Sequence, residues 1–323
     1  MNIKNKLQVL VLSFLLLLPV NTLAYSNYVI TGGETIGIEV NSLGIMVVGF
    51  YDVNNKSIAK DAGFMIGDRI LEVNGNEVSN INEMINNVGE ETDFTVVRDN
   101  KTKHIKLKSD RDASGILKTG LYVKDRISGI GTLTYIDPES KVFGALGHEI
   151  LETTTITKFE IKDGKIYDAT VNEIVKSRNG RAGEKNARYD RNNLEGTINK
   201  NETSGIYGIY QEDFTDREKM KVGKVSEIKL GEALIRTVVH DNEIEDFEIN
   251  ILNINKDSET KNILFEVVSP TLLELTGGIV QGMSGSPIIQ DDKIIGAVNY
   301  VIVNDTAKGY GIFITTMLEE GDK

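Results

Sequence analysis

Two short stretches carry side chains able to do covalent chemistry. In GGIVQGMSGSPIIQ, Gly277 to Gln290, Ser284 stands between glycines just ahead of an apolar run. A serine hydroxyl is a weak nucleophile alone; it needs a base within hydrogen-bond reach and donors for the developing oxyanion. Glycines at 282 and 285 let the backbone turn so that the N–H groups of Gly282 and Ser284 converge on one point, where a larger residue would crowd a substrate carbonyl. Ser286 is the rival nucleophile. The base has three candidates, His104, His148 and His240. His148, in FGALGHEI, follows a strand-like run and is flanked by Gly147 and Glu149, which places its ring at a strand end. His104 lies in a hairpin as a surface or groove residue, and His240 precedes an acidic turn. A bare G-x-S-G also occurs in plain strand connections. What lifts it here is the pairing with His148.

Composition narrows the setting. The chain has 323 residues, a formal net charge of −12 and no cysteine. Phosphate binding rests on excess Lys and Arg, so a nucleic-acid partner is disfavoured. Disulfides, thiolate catalysis and cysteine metal sites are excluded, and three histidines are too few for a His-rich metal cluster. No metal and no cofactor is expected. Lys4 and Lys6 precede the apolar stretch LQVLVLSFLLLLPV, and small residues follow near Ala24. That pattern marks residues 1–24 as an export signal, or as a membrane anchor if retained.

The elements that must position these residues are mostly strands. Residues 34–108 form a compact α/β unit. SIAKDAG reads as a short helix capped at Gly63, and SNINEMINNV as a helix with Ile81, Met84, Ile85 and Val88 on one face. DRDASGILKTG reads as a linker. From residue 121 to 323, short strands separated by Gly and Asp turns call for a barrel or sandwich. The polar segment 176–204 reads as a solvated surface loop.

A family resemblance adds to this. GIGTLTYIDPESKVFGALGHEI together with TGGIVQGMSGSPIIQDDKIIGAVNYVIVNDTAKGYGIFI closely resembles the SpoIVB-type sporulation serine peptidases, and IAKDAGFMIGDRILEVNGNEV resembles a PDZ domain. The order His then Ser matches chymotrypsin-like barrels. The resemblance implies a mainly β protein, a small α/β PDZ domain (34–108) followed by a chymotrypsin-like double β-barrel peptidase domain (121–323). It implies His148 as general base, Ser284 as nucleophile, and the Gly282 and Ser284 amides as oxyanion hole. Where the family pattern has an aspartate, this chain has Ser269, in EVVSPTLLELTGG. A serine can orient an imidazole but cannot stabilise imidazolium by charge. Ser269 is then the possible third triad position, and three explanations compete: a weakened His–Ser enzyme, a substitute acid such as Glu266 or Asp241, or a non-catalytic relative.

PDZ domains add an extended peptide to a sheet edge and hold its carboxylate on loop amides. SLGIM supplies such a loop, with Leu43, Gly44 and Ile45 as the peptide-binding residues beside Ile81 and Ile85. By resemblance, the protein is a serine endopeptidase exported across the forespore membrane, anchored there or released into the space between the two membranes. It would cleave a membrane-bound sporulation regulator to trigger sigma-factor activation, cleave its own N-terminal region, and take a peptide ligand on the PDZ domain. The alternative is a non-catalytic PDZ-bearing scaffold with a degenerate peptidase domain. A quality-control protease of the HtrA kind is disfavoured, since those carry PDZ domains after the peptidase.

Overall fold

The computed structural model describes residues 25–154 and 156–323; the expected export segment, 1–24, lies outside the described residues. The chain is mainly β, with 56% in strands and 10% in helices. Among the described residues no helix is long and apolar enough to cross a membrane.

Strands β1 (Tyr28–Thr31) and β2 (Thr35–Phe50) come first. Helix α1 (Ile58–Asp61), strand β3 (Arg69–Val73), helix α2 (Ile81–Asn87) and the hairpin β4 (Glu91–Arg98)–β5 (Lys101–Lys108) make up the rest of the PDZ unit. Local chemistry sets these boundaries. Asn80 caps α2 by accepting from the Glu83 amide at 3.0 Å, while the Glu83 carboxylate accepts from the Ser79 amide at 2.7 Å. Asp99 and Asn100 both take positive φ, 49° and 57°, the two-residue turn that suits a right-twisted hairpin. Ile45, Val47, Ile70, Phe94 and Val96 fill the core.

The peptidase domain consists of two closed barrels. Strands β6 (Leu121–Ile136), β7 (Val142–Ala145), β8 (Ile161–Val175), β9 (Gly183–Glu202) and β10 (Gly205–Tyr210) join β2 in the first. The ring runs β2–β6–β7–β10–β9–β8 and back to β2, six antiparallel staves. The second uses β11 (Gly231–Val238), β12 (Ile244–Ile254) and β13 (Ile263–Val267). After helix α3 (Pro270–Thr276) and the two-residue strand β14 (Val280–Gln281), it adds β15 (Pro287–Gln290), β16 (Lys293–Val301) and β17 (Lys308–Phe313). Its ring is β11–β12–β13–β17–β16–β15, again six staves. Helix α4 (Ile314–Asp322) closes the chain. Separate cores fill the barrels: Ile36, Ile38, Leu133, Phe143 and Ile166 in the first, Ile235, Phe247, Phe265 and Ile288 in the second.

Two findings differ from the sequence reading. The first is that β2 serves both domains. Ile36, Ile38 and Val40 face the barrel core, whereas Ile45 and Val47, beyond Gly44 at φ +85°, face the PDZ core. Strand β6 runs beside it from Thr35↔Thr132 to Phe50↔Leu121, with the register shifting between Asn41 and Met46 and again between Val47 and Gly49. The segment 34–108 therefore contains a stave of the peptidase barrel, and the PDZ unit is inserted between staves β2 and β6. The second is that residues 183–202 of the presumed surface loop are a twenty-residue strand, paired to β8 on one side and β10 on the other. Its inward positions include Gly183, Lys185, Gly196 and Asn201, so no alternation of apolar residues marks it.

Near one end of the first barrel, Glu34 is ion-paired with Arg217 and lies close to Glu195. Burial first, and then the charges of Glu34 and Asp168, push the Glu195 carboxyl up to about 7. The native state thus holds this proton to higher pH than the unfolded chain does, and its contribution to stability falls as pH rises toward 7. Glu195→Gln is expected to raise the thermal midpoint at about pH 8 and to leave it nearly unchanged at about pH 5. Melting curves at the two pH values check this, and an equal shift at both would reject it.

Candidate active site

Ser284 lies in the turn between β14 and β15, with Gly282 at φ +95° and Gly285 at φ +94°. At Gly285 only glycine fits: a Cβ there would stand 2.1 Å from the Thr132 carbonyl oxygen and 2.5 Å from the Leu146 nitrogen. The turn is fastened to β6. The Thr132 amide donates to the Ser284 carbonyl at 3.0 Å, and Thr132 Oγ1 donates to the Gly282 carbonyl at 2.7 Å. Thr134 Oγ1 donates to the Gly285 carbonyl at 2.8 Å. With the carbonyls held from behind, the Gly282 and Ser284 amides meet no acceptor among the described residues. Two such N–H groups on adjoining turn residues can receive an oxyanion.

His148 follows β7 through Leu146 and Gly147, both left-handed at φ 70° and 71°. Its Nδ1 lies 2.8 Å from the Glu149 carbonyl oxygen. A proton on Nδ1 donates to that carbonyl and leaves Nε2 with a lone pair, the tautomer a general base requires. The Tyr300 ring stacks on the imidazole, 5.5 Å between centroids at 23°, and the Lys261 ammonium lies 5.3 Å from the Tyr300 centroid. Burial pushes the imidazole below its ordinary value, opposed by the bond to Glu149 and by the Glu149 carboxylate. Ser284 Oγ donates to the Asn299 carbonyl at 3.3 Å, and no hydrogen bond joins it to His148 among the described residues. Bonds of this kind commonly tighten only once substrate is bound.

His148, Ser284 and Gly282 line one cleft of about 430 Å³ at the seam of the barrels. Its walls are largely apolar, with Ile38, Ile127, Leu146, Ile150 and Val280 among them. Among the described residues no cluster of three or more acidic or histidine side chains is placed to hold a metal ion.

The remaining sequence candidates fall elsewhere. Ser269 caps α3: its Oγ accepts from the Leu272 amide at 3.4 Å and its own amide donates to the Glu248 carbonyl at 3.0 Å. The acceptor facing His148 is the backbone of its neighbour instead. Glu266 sits 3.8 Å from Lys308, and Asp241 pairs with exposed His240 at 3.1 Å. Ser286 is fully buried and donates to Thr237 Oγ1 at 3.0 Å, so no substrate reaches it. His104 is exposed beside Thr95. In the PDZ unit, Leu43 and Gly44 border a groove of about 490 Å³ that also takes in Leu71, Val78, Glu83 and, from β8, Lys162. Ile45 does not border it; the left-handed Gly44 turns its side chain into the core at 0% exposure. The Leu43 amide donates to the Glu160 carbonyl at 2.8 Å and is closed to a peptide carboxylate. Sequence reasoning missed Thr132, Thr134, Asn299 and Tyr300. The T-x-T alternation in GTLTY was the available signal for the first two; a backbone acceptor such as the Glu149 carbonyl leaves none.

Comparison with protein families now bears on this geometry. The description "SpoIVB peptidase S55" is matched over residues 115–318, and "PDZ domain" over residues 35–108. The chain belongs to the SpoIVB peptidase S55 family. It is a serine peptidase with an N-terminal PDZ domain, consistent with protein or peptide substrates. Among solved structures, this S55 peptidase is similar to the Rv3671c protease from M. tuberculosis. For the active form the identity is 12%, over 58% of this chain and 70% of that one, with a TM-score of 0.32. For the inactive form the identity is 12%, over 59% and 81%, with a TM-score of 0.30. A search of curated proteins finds no match.

Replacing Thr132 by the near-isosteric valine strands the buried Gly282 carbonyl, at a cost of about 1–3 kcal/mol. Labelling by a fluorophosphonate should slow roughly tenfold or more in Thr132→Val. Peptide mapping of labelled Ser286→Ala should still find the adduct on Ser284. An adduct lost in that variant would transfer the nucleophile to Ser286.

Proposed function

We propose that this S55 peptidase is an endopeptidase in which Ser284 attacks and His148 serves as base, without a carboxylate third member. The observation that carries the reading is one cleft holding Ser284, two unpaired turn amides and an imidazole whose Nδ1 faces a carbonyl. Ser284 Oγ adds to the substrate carbonyl carbon as Nε2 of His148 takes its proton, and the oxyanion rests on the Gly282 and Ser284 amides. His148 then returns the proton to the leaving amine, and a water activated the same way hydrolyses the ester. The Glu149 carbonyl orients the ring in every step. The Glu149 carboxylate, which raises the imidazole's proton affinity, adds some of the charge an aspartate would supply.

The substrate in this reading is a membrane-bound sporulation regulator whose cleavage triggers sigma-factor activation, and the chain's own N-terminal region is a second substrate. The enzyme acts after export across the forespore membrane, anchored by its N-terminus or released between the membranes. The family name and the basic-then-apolar N-terminus support this. Peptide capture at the PDZ groove beside Leu43 governs recognition. The helix-capping position of Ser269 favours a second reading, a peptidase fold retained as a binding scaffold.

A fluorophosphonate separates them. Ser284→Ala and His148→Gln should abolish labelling. Ser269→Ala should keep it while losing about 1 kcal/mol of stability as a cap is removed. A folded wild type that takes no label sinks the enzyme. For the groove, Leu43→Asp is expected to lower peptide affinity of the full chain at least tenfold by titration, and unchanged affinity would reject the assignment.

A further inference from the structure

Beneath the nucleophile turn lies a buried amine that the mechanism does not use. Lys185, on stave β9, is 4% exposed and has no carboxylate partner among the described residues. Its Nζ donates to Thr237 Oγ1 at 2.8 Å and reaches Thr35 Oγ1 at 3.5 Å. Ser286 Oγ donates to the same Thr237 oxygen at 3.0 Å. The lysine stem meets the turn itself: a Cβ built on Gly282 would lie 3.1 Å from Lys185 Cβ and 3.2 Å from both Cγ and Cδ. The chain Thr35–Lys185–Thr237–Ser286 thus crosses the seam from the first barrel to the second, ending two residues past Ser284.

We propose that Lys185 is a positioning residue for the oxyanion turn: its stem supports Gly282 from below, and its amine fixes the Thr237–Ser286 pair on which the far side of the turn rests. The inference rests on the reading of Ser284 as nucleophile. An ammonium has three protons to place, and the site offers two hydroxyl oxygens. An amine with a lone pair fits that inventory; a cation leaves one donor and an unscreened charge in the seam.

Among the described residues no neighbouring charge offsets this. On β9 itself, Glu184 is exposed and turned outward. On β8, Glu173 is exposed and lies 3.4 Å from Asn186. Glu34, before Thr35, is bound to Arg217, and Arg236, before Thr237, donates to Asp246 at 2.8 Å. Thr132 of β6 and Gln281 and Met283 of the turn do not titrate; His148, across the cleft, does. Burial alone therefore acts on Lys185 and pushes it down to about 7. Above that pH the competent, uncharged form prevails. Below it the seam acquires the cation and the turn loosens, before His148 is protonated.

The test is the rate of fluorophosphonate labelling of the full chain, measured across roughly pH 5 to 9. The wild-type rate should fall as pH drops through about 7 and steepen as His148 follows. Lys185→Met keeps the stem and removes the amine. It should label at least tenfold more slowly at its plateau, with the acid fall displaced to lower pH and set by His148 alone. A folded Lys185→Met whose rate and acid midpoint both match wild type overturns the proposal. Should that variant fail to fold, Thr237→Ser and Thr237→Val decide. The serine, which keeps the acceptor, should retain the rate within about threefold, and the valine should lose tenfold or more; equal rates in the two overturn it. Label that survives Ser284→Ala, or never forms on wild type, is a failure of the nucleophile reading, visible before any Lys185 comparison, and removes the inference with it.

Discussion

Thr132 commits every polar atom it has to the two halves of the active site. Its amide and hydroxyl hold the carbonyls of Ser284 and Gly282, and its own carbonyl accepts from the Leu146 amide at 3.3 Å, two residues before His148. One residue of the first barrel thereby sets where the nucleophile turn of the second lies relative to the histidine. The contact is possible because Gly285 has no side chain; with a Cβ only 2.1 Å from the Thr132 carbonyl, the backbones would be forced apart. Most of the site follows from that approach. The carbonyls of the turn point back toward β6, the amides are left unpaired, and Leu146 and Gly147 coil left-handed to bring the imidazole round.

A neutral acceptor on Nδ1 changes the electrostatics of the base. A buried aspartate would hold the ring and also favour its charged form; the Glu149 carbonyl does the first with only a dipole's share of the second. Stacking on Tyr300, which also carries the Lys261 ammonium on its ring, holds the plane of the imidazole. The arrangement is one of orientation more than of charge. It accounts for how Ser269 can serve as a helix cap without depriving His148 of a partner.

What the sequence disclosed and what it hid divide along a physical line. That His148 and Ser284 stand at tight turns was legible because glycines at 147, 282 and 285 mark such backbone. A barrel or sandwich was legible from many short strand-like runs between Gly and Asp turns, and the double barrel only through the family resemblance. Strand β9 was not, because strand prediction listens for apolar alternation and, Ile198 apart, its buried positions are glycine, lysine and asparagine. Its ladders to β8 over 184–198 and to β10 over 196–202 are made by backbone groups, which pair whatever the outward side chains are. Lys185 was hidden for the same reason: a lysine in a run of charged residues reads as solvated, and only three-dimensional burial singles it out. The position of Ile45 was misread because Gly44 interrupts the two-residue period on which inward and outward faces are assigned.

Stave β2 belongs to the first barrel yet precedes the PDZ unit, and this bears on how such a protein can change over time. A peptidase segment beginning at residue 115 would carry five of the six staves of its first barrel and expose the Ile38 side of the cleft. The two domains are therefore not beads that recombination can separate at a single cut. Any exchange of the PDZ unit has to splice at both β2 and β6 and keep the two staves paired.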